Sequence, residues 1–125
     1  RETFRPSARI RSTARARVPG REEGEAMYTI VERRTINRER LPETLRRAEH
    51  EFFPKLRAAP GFIGFYLVAD EPQEINTAVL VWASKARADV FDTENSGWLQ
   101  TLEALGHTLQ SDNRGETVIQ IEPAH

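Results

Sequence analysis

The chain contains no cysteine, which removes disulfides, thiolate metal sites and a cysteine nucleophile from consideration. It has three histidines, His50, His107 and His125, and no His-x-x-x-His pair, so no metal-ligand spacing stands out. No apolar run approaches the roughly 18 residues that a membrane helix requires. Gly-x-Gly-x-x-Gly, Walker and Gly-x-Ser-x-Gly patterns are also missing. With them go the sequence marks of dinucleotide, phosphate-loop and nucleophile-elbow enzymes. What is present is a polar chain of 125 residues, 38% hydrophobic and 30% charged, with a net charge of −1. That length suits one domain, or one domain with a tail.

The charge is uneven. Residues 1–26 carry seven Arg against four Glu, while residues 27–125 are net acidic. In the first stretch Phe4, Ile10 and Val18 follow neither a helical nor a strand period, and Pro6, Pro19, Gly20 and Gly24 punctuate it. Such a segment buries too little apolar surface to offset its ordering entropy, so disorder is expected. Its arginines suit an anionic surface or nucleic acid, and its first 21 residues suit a targeting peptide. The preferred account is plainer: an extension upstream of a domain spanning 27–125. Nucleic-acid binding ranks last, because Phe4 alone offers a base-stacking ring in the arm. No membrane partner is expected, and a cytoplasmic location is.

From Met27 the pattern becomes regular. Residues 27–35 are rich in β-branched and aromatic side chains and predict a strand. A helix capped near Asn37 follows, with Pro42 in its first turn. Its apolar stripe is Leu41, Leu45, Ala48, Phe52 and Leu56, and Pro54 must kink or end it because its ring opposes the carbonyl of His50. Strands are expected at 61–69 and 75–82. A helix capped by Ser84 runs to about Phe91, and Asn95-Ser96-Gly97 interrupts or recaps it. Trp98, Leu102, Leu105 and Leu109 then form a second stripe, and Thr117–Glu122 a last strand. The order β-α-β-β-α-β is that of a ferredoxin-like α+β fold, an antiparallel sheet with two helices on one face.

Strands two and three are apolar on both faces. Strict alternation points Phe62, Tyr66 and Val68 one way and Ile63, Phe65 and Leu67 the other. Two helices cover only one face, so the other would leave a large apolar patch in water. A homodimer through that sheet face is expected.

Among polar candidates, His50 and His107 fall on the solvated sides of their helices by angular count from Leu41 and Trp98, and His125 ends the chain. Glu32 shares a strand face with Tyr28, Ile30 and Arg34. It is read either as a partner of Arg34 or as a pocket carboxylate. The aromatic residues are mostly core by habit, yet a subset suits an apolar ligand pocket with few polar groups. Phe53, Phe62, Trp82, Phe91 and Trp98 are the candidate walls, with Tyr66 and Asn76 as polar handles.

The run Pro60-Gly61-Phe62, the turn Asp70-Glu71-Pro72 and the strand end Val81-Trp82-Ala83-Ser84-Lys85 leading into a helix resemble the antibiotic-biosynthesis monooxygenase domain of the dimeric α+β barrel superfamily. The resemblance spans roughly residues 27–123. It implies a pocket between sheet and helices and a dimer through the opposite sheet face. It also implies chemistry without a cofactor, in which O2 oxidises a small flat aromatic such as a quinol or an anthrone. Tyr66, Asn76 and Glu32 are then the expected catalytic groups, and Phe53, Phe62, Trp82, Phe91 and Trp98 the substrate-binding ones. No metal is expected. Where many members carry a histidine nine residues after the strand-ending Trp, this chain has Phe91. A non-catalytic ligand-binding or regulatory protein of the same fold is the alternative.

Overall fold

A computed structural model describes residues 26–124. The reading of the N-terminal arm and the placement of His125 lie outside the described residues. Four strands form one antiparallel sheet: β1 (Tyr28–Thr35), β2 (Phe62–Asp70), β3 (Ile75–Trp82) and β4 (Leu109–Glu116). Their order is β2-β3-β1-β4, the arrangement that two interleaved βαβ units generate. The expected ferredoxin-like α+β fold is therefore observed. No helix of the described residues is long and apolar enough to cross a membrane.

The first connection is α1 (Leu41–Arg47), a wide π-helical turn (Ala48–Phe52) and α2 (Phe53–Ala58). Proline at position 54 lacks an N–H and crowds the preceding turn. The chain answers by widening that turn to i→i+5 spacing, and the helix continues instead of breaking. The expected cap at Asn37 is not made. Arg40 occupies the N-cap position without a side-chain bond, and the amide of Asn37 instead donates to the carbonyl of Leu105 at 3.2 Å.

The second connection is α3 (Lys85–Glu94) and α4 (Ser96–Ala104). Ser84 caps α3 as expected, its hydroxyl accepting from the backbone of Arg87 at 3.3 Å. The end of α4 departs from the sequence expectation. Gly106 adopts φ +90, its N–H donates to Glu103 O, and the N–H of His107 donates to Leu102 O, both at 3.0 Å. That pair of bonds is a Schellman motif, which needs a residue without a Cβ at this position. Asn37 packs against the Gly106 site so closely that a Cβ there would overlap it. The helix stops, and Leu109, expected in the helical stripe, begins β4 instead.

The expected last strand, Thr117–Glu122, is consequently displaced. Its β-type pattern is real, but the sheet edge beside β1 is already filled by 109–116. Thr117 still donates to Met27 O at 2.8 Å. Beyond it Val118, Ile119 and Ile121 are exposed.

A bulge in β2 corrects the assignment of its faces. The register against β3 shifts between Phe62 and Gly64, so one residue is absorbed without changing sides. Phe62 therefore joins Phe65 and Leu67 beneath the helices, while Tyr66 and Val68 lie on the open face. The core sits on the helix side, around Ile30, Leu56, Leu80, Trp82, Ala88 and Phe91. Trp82 is fully buried, with Phe62 and Phe91 ring centroids 5.7 and 5.1 Å away.

Candidate functional site

A cavity of about 120 Å³ opens between the helix-side sheet face and the two helical layers. The sheet supplies its floor by alternation: Ile30, Glu32 and Arg34 from β1, Asn76, Ala78 and Leu80 from β3, and Phe65 and Leu67 from β2. The wide turn brings Phe52 and Phe53 to the wall together, and Phe91 and Trp98 close the opposite side. Phe52 stacks nearly parallel on Trp98, with 5.2 Å between centroids and 9° between planes. Phe65 meets Phe52 edge-on at 6.2 Å. Leu45 and Leu99 line the space and are also solvent-exposed, so they mark its mouth. The size is near that of apolar cavities of about 150 Å³ that take up benzene.

Of the residues singled out from sequence, Glu32, Asn76, Phe53, Phe91 and Trp98 line this cavity. Tyr66 does not: it is 63% exposed on the other face of the sheet, because of the β2 bulge. Phe62 and Trp82 are on the correct face but pack into the core at the end where Pro60-Gly61 and Ser84 close the fold, outside the cavity lining.

Two polar clusters border the cavity. In the first, Arg114 of β4 reaches across β1. It donates to Asp112 at 2.7 Å, to Asp92 of α3 at 3.1 Å and to Glu32 at 3.3 Å. Bonding to Asp112 above all raises the Arg114 pKa. Glu32 behaves oppositely to an exposed carboxylate. Burial pushes its pKa up, Arg34 and Arg114 pull it back, and Asp112 adds to the rise. A carboxyl group so placed is a better proton acceptor near neutral pH than an ordinary one.

The second cluster was not legible in the sequence. His107, expected on a solvated helix face, is 3% exposed and lines the cavity. The angular count failed because the helix ends at Gly106. Gly106 itself was the available signal, as the usual residue just past a helix end. The Nε2 of His107 lies 2.7 Å from the Thr44 hydroxyl, which donates to Arg40 O at 2.9 Å. The Asn37 N–H donates to Nδ1 at 3.3 Å. Nδ1 also lies 3.2 Å from the Thr35 carbonyl, so the tautomer decides whether Nδ1 accepts from Asn37 or donates to Thr35, and Nε2 bonds Thr44 in either form. So bonded, His107 ties the end of α4 to α1. His50 is exposed, as expected. Among the described residues no group of His, Asp and Glu is arranged to hold a metal ion.

No family profile matches the sequence, and no curated protein is similar to it. Solved structures do share the fold. SnoaB, a cofactor-independent oxygenase from Streptomyces nogalater, is 19% identical, with TM-score 0.58 over 79% of this chain and 99% of that one. A candidate antibiotic biosynthesis monooxygenase from Deinococcus radiodurans is 14% identical, with TM-score 0.64 over 78% and 99% of the two chains. A conserved protein from Methanosarcina mazei Go1 is 14% identical, with TM-score 0.63 over 73% and 92%. At these identities what is shared is the fold: residues 26–124 adopt the ferredoxin-like α+β architecture of antibiotic-biosynthesis-monooxygenase structures.

Proposed function

We propose that this chain is a cofactor-independent monooxygenase acting with O2 on a small flat reduced aromatic, a quinol or an anthrone. The observation that carries this is the aromatic-walled cavity with a half-buried carboxylate, Glu32, in its floor. A quinol that loses a proton to Glu32 becomes an electron-rich anion able to pass one electron to O2. Recombination of the resulting radical with superoxide, followed by loss of water, yields the hydroxyquinone. Overall, quinol plus O2 gives hydroxyquinone plus H2O. For an anthrone the same steps give anthraquinone plus H2O. The chain's part is to orient the ring between Phe52, Phe53, Phe91 and Trp98, to exclude water and to take the proton. The cavity's size favours a quinol of one or two rings over a three-ring anthrone.

The protein works as a homodimer in this reading, with the open sheet face as its interface. Tyr66 and Val68 are exposed there, beside half-buried Val79 and Val81. Oxygen uptake by the full chain, with reduced naphthoquinone as substrate and autoxidation subtracted, tests the activity. Saturable uptake that falls at least tenfold in Glu32→Gln supports it. A rate equal to autoxidation from folded protein overturns it. In that event the second reading, a non-catalytic ligand-binding protein, takes over. It is favoured by His107, whose ring is engaged in holding helices together rather than facing a ligand as a free base.

A further inference from the structure

Glu32 and Arg34 both face the cavity from β1, but they are satisfied differently. Glu32 has Arg114. Arg34 is more deeply buried, its side chain 11% exposed against 17% for Glu32. A guanidinium carries five N–H donors. Among the described residues the Arg34 side chain makes one hydrogen bond, from Nη1 to the carbonyl of His107 at a long 3.4 Å. The Glu103 carboxylate stands 4.0 Å from the same nitrogen and is itself largely in solvent. Directly across the β1–β3 register from Arg34 is Asn76, whose Oδ1 is buried without a partner among the described residues. Arg34 and Asn76 thus place under-used donors and an unused acceptor side by side on the cavity floor. A buried cation without a hydrogen-bonded counter-charge is costly, and a planar fork of donors matches a carboxylate or an ionised ring oxygen.

We propose that the cavity selects aromatic anions: its ligand is a flat ring carrying one ionised oxygen group, which docks on the Arg34 guanidinium while the ring lies against the aromatic wall that Phe52, Phe65 and Trp98 form. Glu32, Asp92 and Asp112 are bonded to one guanidinium, Arg114, which offsets part of their charge. Arg34 attracts Glu32 through space but donates to none of the three, so its donors are the ones a ligand anion would use. Asn76 Oδ1 would accept from a hydroxyl on the same ring. The proposal rests on the cavity being a ligand site, as in the function proposed above, but needs no oxygen chemistry.

Two unreactive probes of the same shape test it, 2-naphthoate and 2-naphthol, titrated calorimetrically into the full chain at neutral pH. The wild type is expected to bind 2-naphthoate at least tenfold more tightly than 2-naphthol. Arg34→Met should abolish that preference while leaving 2-naphthol affinity within twofold, and Arg34→Lys should keep part of it. Equal affinities in the wild type, no binding of either probe, or a preference that survives Arg34→Met would each overturn the proposal. If Arg34→Met does not fold, Arg34→Lys decides: a preference as large as the wild type's would leave no role for the guanidinium fork. Because neither probe is turned over, a failed oxygen assay and a failed anion preference are separate results.

Discussion

The two faces of the one sheet obey different rules. Beneath the helices most positions pack against a neighbour, around one cavity. Trp82 is sealed between Phe62 and Phe91, and Arg114 is bonded to three carboxylates, with Arg34 and Asn76 the exceptions at the cavity floor. On the open face Tyr66 and Val68 stand 63% and 58% exposed with no such company. The same strands thus carry one face covered within the chain and one face left open. On the first, where water is scarce, a carboxyl group such as Glu32 keeps its proton more tightly.

The strongest way to break this contrast is Trp82→Ala. It should cost about 3–5 kcal/mol of unfolding free energy, the range for emptying a closed core site of a large ring, as read by chemical denaturation. His107→Ala comes next, at about 2–3 kcal/mol, because it leaves the Thr44 hydroxyl and the Asn37 N–H short of a buried partner. A surface histidine would cost almost nothing, so this variant separates the observed position from the one expected by helical count.

A third test uses pH. The folded-state pKa of Glu32 is raised above the ordinary value of 4.5, so between the two values the folded protein holds more protons than the unfolded one. Stability from this group is therefore lost as pH rises through that window and is level above it. Melting temperatures of wild type and Glu32→Gln across about pH 4 to 8 should show this decline in the wild type alone. Parallel curves would mean that the carboxyl is not strained by burial.

The smallest effect on the folded protomer is expected on the open face. Val68→Lys should change protomer stability by no more than about 0.5 kcal/mol, yet halve the mass measured by light scattering if that face joins two copies. An unchanged dimer mass would put the interface elsewhere.

The element order, the strand–helix assignments up to Trp98 and five of the cavity-lining residues were legible in the sequence because alternation and helical spacing are local signals. Three features escaped for identifiable reasons. The β2 bulge adds one residue, so counting by twos from Phe62 sent Tyr66 to the wrong face. The stop at Gly106 ended a stripe whose spacing continued to Leu109, which hid His107 and moved β4. Competition between two strand-like segments for one sheet edge was settled by position: 109–116 reaches β1 first, although 117–122 has the stronger β pattern. Arg34 was visible only as a neighbour of Glu32, since periodicity reports which face a side chain takes and not which of its donors are spent.

The wide turn at Ala48–Phe52 has a consequence for how this site tolerates changes in chain length. Two successive residues, Phe52 and Phe53, both reach the cavity, although neighbours in a regular α-helix diverge by about 100°. The extra residue acts as a phase adjuster between α1 and α2. Deleting one residue there while replacing Pro54 would rewind the segment to an ordinary α-helix and turn α1 by about 100° against α2. Thr44 would then swing away from His107, and Leu45 from the mouth, with no side chain of the site having been altered. In this part of the molecule the spelling matters less than the count.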